Sequence, residues 1–180
     1  MFDLQGLNIY LIGMMGSGKT TTGELLATQL GYRFIDTDTT IEKLANQTVS
    51  EIFQTSGESE FRRLETQVLA EISAYTRLVV ATGGGIAIDL ENWNHLQQGL
   101  VVWLDPSTET IVERLQGDDT RPLLDSVEDL HTRLQQLGAA RRDRYAAADI
   151  HIPIVSNLPP IDVVDRSITL IPTVLKKTVS

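Results

Sequence analysis

The sequence predicts one doubly wound α/β domain, with a central five-stranded parallel sheet and helices on both of its faces. Short apolar runs alternate along the chain with longer amphipathic segments, which is typical of consecutive βαβ units. The length of 180 residues suits one domain with a single buried core. Since no linker, repeat or low-complexity tract divides the chain, we expect residues 1–180 to form one unit.

Five apolar runs supply the expected strands. The first, over residues 8–12, stops at Gly13, and the second, over residues 33–36, ends in a carboxylate. The remaining runs are residues 78–81, 100–104 and 150–155. Each run is short and bounded by Gly, Pro or polar residues, as buried strands are.

The segments between these runs have the spacing of amphipathic helices. The first helix should begin at Lys19 and stop at Gly31. The other expected helices cover residues 39–46, 48–55, 59–74, 108–116, 127–145 and 161–170. The polar stretch 117–125 interrupts this series and predicts an exposed loop.

Composition and charge exclude several classes of function. The 15 Lys and Arg residues against 24 Asp and Glu give a net charge of −9, so binding of nucleic acid through bulk positive charge is excluded. The absence of Cys excludes a disulfide scaffold, a thiolate metal site and a cysteine nucleophile, and is consistent with a reducing compartment. No apolar stretch approaches the roughly 18 residues that span a bilayer, and no signal peptide is visible. We therefore expect a cytoplasmic protein that binds neither nucleic acid nor membrane.

A phosphate-binding loop follows the first strand. Residues 13–20, GMMGSGKT, match the pattern G-x-x-x-x-G-K-[ST] at every fixed position. In such a loop backbone N–H groups and a helix N-terminus surround the β-phosphate, the lysine reaches the β- and γ-phosphates, and the hydroxyl that follows binds Mg²⁺. A bare helix-capping turn would need neither Lys19 nor Thr20. We therefore predict a nucleoside triphosphate site at Gly16, Ser17, Gly18, Lys19, Thr20 and Thr21.

Two carboxylates follow the second strand. Asp36 ends that strand, where parallel sheets place ligand groups, and its carboxylate could hold Mg²⁺ opposite Thr20, directly or through water. Asp38 would point to the same side as Asp36 if the segment stays extended. The alternative is an Asx turn or a helix cap at Asp38.

Five motifs follow the phosphate loop in a fixed order, and together with it they resemble the shikimate kinase family over roughly residues 8–155. The chain has no N-K-x-D motif and no D-x-x-G motif after a strand, so a GTPase is not indicated instead. The five motifs are Asp36-Thr37-Asp38, Phe61-Arg62, Gly83-Gly84-Gly85, Arg121-Pro122-Leu123-Leu124 and Arg141-x-x-x-Tyr145.

The resemblance implies a P-loop kinase fold with a mobile lid over about residues 117–126 and substrate-binding helices over about residues 38–74. It implies transfer of the γ-phosphoryl group of ATP to the 3-hydroxyl of shikimate, with Mg²⁺, on the route to chorismate and the aromatic amino acids. Two alternatives remain: a kinase for another small hydroxy compound, such as gluconate or a nucleoside monophosphate, and a non-catalytic relative. Since no long exposed apolar seam is visible, we expect a monomer.

The same resemblance assigns the residues that contact shikimate. Asp38 would contact the shikimate hydroxyls and is the family's proposed base. Arg62 and Arg141 would bind the carboxylate, beside the backbone N–H groups of Gly83, Gly84 and Gly85. A guanidinium binds a carboxylate through two parallel N–H donors, which an ammonium cannot do. Glu65, one helical turn after Arg62, could pair with it and hold its orientation.

Several arginine assignments are less specific. Arg121, delivered by the closing lid, would stabilise charge on the transferring phosphoryl group. Arg114 matches a family position that stacks on adenine, although it could equally be an ordinary surface residue. Because the chain has Arg141-Arg142-Asp143-Arg144-Tyr145 where the family often has R-x-P-L-Y, Arg142 and Arg144 remain alternatives to Arg141.

Overall fold

The structure, a computed structural model, describes residues 4–115, 130–155 and 158–175. Within these ranges five strands form one sheet in the order β2-β3-β1-β4-β5, and every neighbouring pair is parallel. The strands are β1 (Ile9–Ile12), β2 (Arg33–Asp36), β3 (Leu78–Ala81), β4 (Leu100–Pro106) and β5 (Ile150–Ile154). The predicted five-stranded parallel sheet is confirmed, with β4 two residues longer than expected.

The helices pack on both faces of this sheet. In the described ranges they are α1 (Lys19–Leu30), α2 (Thr37–Ala45), α3 (Val49–Ser73), α4 (Leu90–Leu96), α5 (Thr108–Leu115), α6 (Leu130–Tyr145) and α7 (Pro160–Leu175). None of them is both long enough and apolar enough to cross a lipid bilayer.

A short helix and a 3-10 turn were not expected from the sequence. The 3-10 turn covers Ile86–Ile88 and leads into α4, whose first turn is capped by Asp89, with the Glu91 N–H donating to its carboxylate at 2.9 Å. At seven residues α4 is too short for hydrophobic periodicity to reveal it. The Asp89 cap was the one local signal available.

The two helices expected over residues 48–55 and 59–74 join end to end in α3. A reciprocal capping box between Thr48 and Glu51 starts this helix. At Gly57 the backbone takes φ 80° and ψ 172°, a conformation essentially restricted to glycine, and the helix changes direction there. The part of α3 after Gly57 packs on the sheet and carries Arg62.

Alternation along the strands divides the core into two layers. Ile9 and Leu11 of β1 face the layer closed by α1 and α7, whereas Tyr10 and Ile12 face the layer closed by α2 to α6. Helices α3 and α6 therefore lie on the same face of the sheet. This shared face allows side chains that are far apart in sequence to meet beyond the strand ends.

Candidate active site

The carboxyl ends of β2, β3 and β1 lie side by side at one edge of the sheet, and each leads directly into a segment with polar or glycine residues. β1 leads into the phosphate loop, β2 into the first turn of α2, and β3 into the glycines 83–85. In parallel α/β sheets ligands bind in the crevice outside this edge. One cavity of about 500 Å³ lies there, lined by residues from all three segments, among them Lys19, Asp36, Asp38 and Gly84.

The phosphate loop has the backbone conformation that anion binding needs. Gly13 has φ 143°, and a Cβ at this position would collide with the Leu104 carbonyl of β4. Gly18 is the N-cap of α1 and supplies no side chain to occupy the N–H groups of the first turn. These N–H groups, together with the helix dipole, favour an anion at this point.

Lys19 lies across the loop that precedes it. Its Nζ donates to the carbonyl oxygens of Gly13 at 2.9 Å and Met14 at 2.8 Å, and to Ser17 Oγ at 3.2 Å. These contacts hold the ammonium beside the space that the loop encloses. The predicted location of Lys19 at the phosphate site is consistent with this geometry.

Asp36 joins the loop to α2. Its Oδ2 accepts a hydrogen bond from Thr20 Oγ1 at 2.9 Å, while Oδ1 accepts from the backbone N–H groups of Asp38 at 3.0 Å and Thr39 at 3.2 Å. Asp36 is therefore the N-cap of α2, which begins at Thr37. The segment from Asp36 to Asp38 is therefore not extended, and the alternative cap at Asp38 is not used either, because the cap at Asp36 starts the helix two residues earlier than predicted.

The donor set at Thr20 and Asp36 fits Mg²⁺. A hydroxyl and a carboxylate oxygen 2.9 Å apart are the hard oxygen donors that this ion prefers. The described part of the chain has no cluster of three His, Cys, Asp or Glu side chains able to hold a metal. Since Mg²⁺ in phosphate-binding sites usually takes one or two protein oxygens and completes its shell with phosphates and water, two donors are sufficient.

Asp38 reaches the glycines after β3 from the first turn of α2. A Cβ at Gly83 would lie 2.9 Å from Asp38 Oδ1 and would collide with Glu65 Oε1. The Gly83 N–H donates to Thr37 Oγ1 at 3.0 Å, which fastens this turn to α2. The missing side chain at Gly83 thus lets two carboxylates approach the turn, one from α2 and one from α3.

Arg62 is held by carboxylates on both sides of it along α3. Its Nη1 donates to Glu65 Oε2, so the predicted i,i+3 ion pair is present. Its Nη2 and Nε both donate to Glu58 Oε1, at 3.0 and 3.3 Å. Burial alone would lower the pKa of Arg62, but Glu65 and Glu58 outweigh it and raise that pKa. A Cβ at Gly85 would overlap this guanidinium, so the absence of a side chain at Gly85 leaves the space that the Arg62 guanidinium occupies.

Glu65 is a fully buried carboxylate in this cluster. Burial raises the pKa of Glu65 to about 7, Arg62 opposes the shift, and the nearby Asp38 carboxylate adds to it. Its second oxygen, Oε1, has no hydrogen-bond partner in the part of the chain that the structure describes. Sequence reasoning anticipated the pairing with Arg62 but had no signal for this degree of burial.

Arg141 of α6 lies closest to the glycine turn among the three neighbouring arginines. Its Nη1 donates to the Gly84 carbonyl at 3.0 Å. Arg142 lies over the Trp103 ring, with its Nη1 3.5 Å from Asp105 Oδ2, and Arg144 is exposed. Of the three arginines it is thus Arg141 that contacts the glycine turn, and its role as a substrate ligand stays a prediction.

Two partners in this cluster were not assigned a role from the sequence. Glu58 binds Arg62 from four residues earlier in α3, and its i,i+4 spacing was an available signal. Tyr145 donates from its hydroxyl to the Gly84 carbonyl at 2.5 Å. The sequence shows Tyr145 at the end of the Arg141-x-x-x-Tyr145 motif, but it does not show that the hydroxyl bonds the Gly84 carbonyl.

Arg114 of α5 contacts the phosphate loop and lines the same cavity as Lys19 and Asp38. Its Nη1 donates to the Gly16 carbonyl at 3.1 Å. A second cavity, of about 270 Å³, opens between the loop and the start of α7, with Arg114, Thr21, Leu158 and Pro160 in its lining. Arg121 and the expected lid over residues 117–126 lie outside the described residues.

Comparison with known proteins gives consistent matches over nearly the whole chain. The family model described as shikimate kinase matches residues 15–172. A shikimate kinase from Synechococcus elongatus is 52% identical over 175 residues, which cover 97% of this chain and 92% of that protein.

Solved structures match as well. Shikimate kinase from Acinetobacter baumannii in complex with shikimate gives a TM-score of 0.87 at 38% identity, covering 94% of this chain and 95% of the other. Shikimate kinase from Aquifex aeolicus gives a TM-score of 0.77 at 33% identity, covering 93% and 97%. The sheet order, the phosphate loop and these matches agree, and the chain belongs to the shikimate kinase family.

Proposed function

We propose that this chain transfers the γ-phosphoryl group of ATP to the 3-hydroxyl of shikimate and releases ADP and shikimate 3-phosphate. The observation that carries this proposal is that the phosphate loop, Asp38 and Gly84 line one and the same cavity, of about 500 Å³. A phosphoryl donor at the loop and an acceptor hydroxyl beside Asp38 would face each other across this space.

ATP binds, in this proposal, with its β- and γ-phosphates at the N-terminus of α1. The loop N–H groups and Lys19 donate hydrogen bonds to the phosphate oxygens, so that Lys19 exchanges its bonds to the Gly13 and Met14 carbonyls for bonds to the nucleotide. The adenine end extends toward the second cavity, where Arg114 and Pro160 are available to cover it.

Thr20 and Asp36 are the residues that would hold Mg²⁺. When bound there, the ion neutralises charge on the β- and γ-phosphate oxygens. The hydrogen bond between Thr20 and Asp36 positions both oxygens before any nucleotide arrives. Because Asp36 also caps α2, the same carboxylate fixes the location of Asp38 relative to the phosphate loop.

Shikimate binds with its carboxylate between Arg62 and Arg141. Two guanidinium groups can saturate a carboxylate with parallel N–H donors, and both groups already contact the glycine turn. Glu65 is fully buried and holds the Arg62 guanidinium through Nη1, whereas Glu58, which binds Nε and Nη2, is exposed and would make room for the shikimate carboxylate.

The reaction moves one phosphoryl group in line between two oxygens. The shikimate 3-hydroxyl oxygen forms a bond to the γ-phosphorus while the bond from that phosphorus to the β–γ bridging oxygen breaks, and ADP leaves. Asp38 accepts a hydrogen bond from the attacking hydroxyl and orients it; in a loose transition state the proton is lost late, to Asp38 or to solvent. Arg121 would add positive charge beside the transferring group.

The cytoplasmic location, the monomeric state and the single domain over residues 1–180 stay predictions.

A coupled assay of ADP release tests the proposed function. With ATP and Mg²⁺ present, we expect turnover that depends on shikimate and is not supported by gluconate or by a nucleoside monophosphate. Because shikimate is the acceptor and ATP is the donor, ADP release should stop when either of them is omitted. Turnover with gluconate and none with shikimate would contradict the proposal.

A further inference from the structure

The hydroxyl of Tyr145 connects three parts of the candidate site. Tyr145 lies in the last turn of α6 and is 2% exposed, with its ring beside that of Trp103 at a centroid separation of 5.8 Å. Its hydroxyl lies 2.5 Å from the Gly84 carbonyl oxygen and 3.8 Å from Met14 Sδ in the phosphate loop. A hydroxyl has one proton, and the much shorter distance assigns it to the Gly84 oxygen.

The Gly84 carbonyl accepts two hydrogen bonds, one from the Tyr145 hydroxyl and one from Arg141 Nη1. A carbonyl oxygen has two lone pairs, so both are in use. The neighbouring carbonyls are also bound: Gly83 accepts from the Ile86 N–H at 3.2 Å and Gly85 from the Ile88 N–H at 3.0 Å. Since the peptide unit is planar, fixing the Gly84 carbonyl also fixes the direction of the Gly85 N–H.

We propose that Tyr145 is a positioning residue that holds the Gly84–Gly85 peptide in place while Arg141 binds the carboxylate of the substrate. This inference rests on the proposed function, in which Arg141 binds the carboxylate of shikimate, and it adds that Arg141 gives up its bond to Gly84 when it does so. Gly84 is partly buried, and a partly buried carbonyl that lost its last protein partner would carry a free-energy penalty. Tyr145 removes that penalty, because its bond to Gly84 persists when the guanidinium turns toward the ligand.

The environment of Tyr145 keeps it a donor. Burial raises the pKa of Tyr145, and the nearby Arg141 opposes that shift only in part. The phenol therefore stays protonated through the neutral range. Its ring is held by the core on one side and its hydroxyl by the glycine turn on the other, as a fixed support requires.

The test is steady-state kinetics of Tyr145→Phe, with Tyr10→Phe as the matched control. Both tyrosines are fully buried, and the Tyr10 hydroxyl is also hydrogen-bonded, to Asn8 Nδ2 at 3.4 Å, but at the opposite edge of the sheet. We expect Tyr145→Phe to raise KM for shikimate about five- to tenfold, the range for one lost hydrogen bond. Its kcat and its KM for ATP should stay within about twofold of the wild-type values. Tyr10→Phe should leave all three values within about twofold.

A double-mutant cycle of Tyr145→Phe with Arg141→Lys measures the coupling between the two side chains, which a general loss of structure would not produce. Because both side chains bind the same oxygen, the increase in KM for shikimate in the double variant should be smaller than the product of the two single increases. KM for ATP should equal the wild-type value in all three variants. An unchanged KM for shikimate in Tyr145→Phe, equal increases in both KM values, or loss of folding in this variant would overturn the inference. Wild-type protein without shikimate-dependent turnover would overturn the proposed function itself, so the two failures are distinguishable.

Discussion

The phosphate loop and the proposed acid-binding cluster around Arg62 and Arg141 lie at the same edge of the sheet but are built in different ways. The loop consists of eight consecutive residues, and its ligand groups are mainly backbone N–H groups set by local conformation. The acid-binding cluster combines side chains from α3 and α6 with the glycines after β3, which are tens of residues apart in sequence. The loop depends on the local path of the backbone, whereas the cluster depends on correct packing of the helices in the layer closed by α2 to α6.

The cationic side chains of the two regions also have different partners. In the loop, the Lys19 ammonium donates hydrogen bonds to two backbone carbonyls and a hydroxyl, which are uncharged acceptors that a phosphate could replace. In the acid-binding cluster, Arg62 is paired with two carboxylates, one of them buried, before any ligand is bound. We therefore expect substitutions in the loop to affect the chemical step, and substitutions in the cluster to affect acid binding and stability.

Replacement of Lys19 should give the largest effect. Lys19→Ala removes the charge beside the transferring phosphoryl group, and we expect kcat to fall about 10²- to 10³-fold, as for loss of one transition-state donor. Binding of shikimate, measured by calorimetry, should stay within about twofold. Lys43→Ala, which changes an exposed lysine of α2, is the control. Near-normal kcat in Lys19→Ala would remove the proposed difference between the regions.

Glu65 should make stability depend on pH. The pKa of Glu65 is raised from its ordinary 4.5 to about 7 in the folded protein, so its favourable contribution is complete below about 4.5 and is lost as the pH rises through about 7. The free energy of unfolding of the wild type should fall by about 2–3 kcal/mol between pH 5 and 8 relative to Glu65→Gln.

Denaturant unfolding across this pH range measures the effect, and Glu60→Gln serves as the control. Glu60 is on the same helix and pairs with Arg63, but it is solvent-exposed and its pKa is lowered by that arginine. The Glu60→Gln protein should keep the wild-type slope. Parallel curves for wild type and Glu65→Gln would show that Glu65 is not the titrating group.

The two regions also differ in how much of them the sequence could predict. The loop was predicted residue by residue, because every determinant lies within residues 13–20. In the acid-binding cluster the arginines and glycines could be named, but the burial of Glu65 and the bond from Tyr145 to Gly84 depend on how α3 and α6 pack. The conformation at Asp38 was predicted wrongly because Asp36 and Asp38 are both good helix caps, and only the folded chain shows that the first one is used.

Arg62→Lys should separate acid binding from nucleotide binding. Lysine keeps the charge but loses the parallel donors, so we expect kcat/KM for shikimate to fall roughly 10- to 30-fold, the loss of about one charge-assisted hydrogen bond. KM for ATP should change by less than about twofold. Arg63→Lys, which alters the exposed neighbour paired with Glu60, should be close to wild type. Equal losses for both substrates would argue against a specific role in acid binding.

The start of α3 should give the smallest effect. Thr48→Ala breaks the capping box with Glu51, and we expect the free energy of unfolding to fall by about 1 kcal/mol. Because the helix changes direction at Gly57, before Arg62, both KM values should remain at wild-type levels. Thr55→Ala, in the same helix but away from its end, is the control. A large increase in KM for shikimate in Thr48→Ala would show that the helix start and the acid-binding cluster are coupled.

A crystal structure with ADP and shikimate bound tests the central claim most directly. We expect the shikimate carboxylate within hydrogen-bond distance of the guanidinium groups of both Arg62 and Arg141, and the 3-hydroxyl beside Asp38, facing the phosphates at Lys19. A shikimate molecule bound elsewhere, or these two arginines directed into solvent while it is bound, would contradict the account.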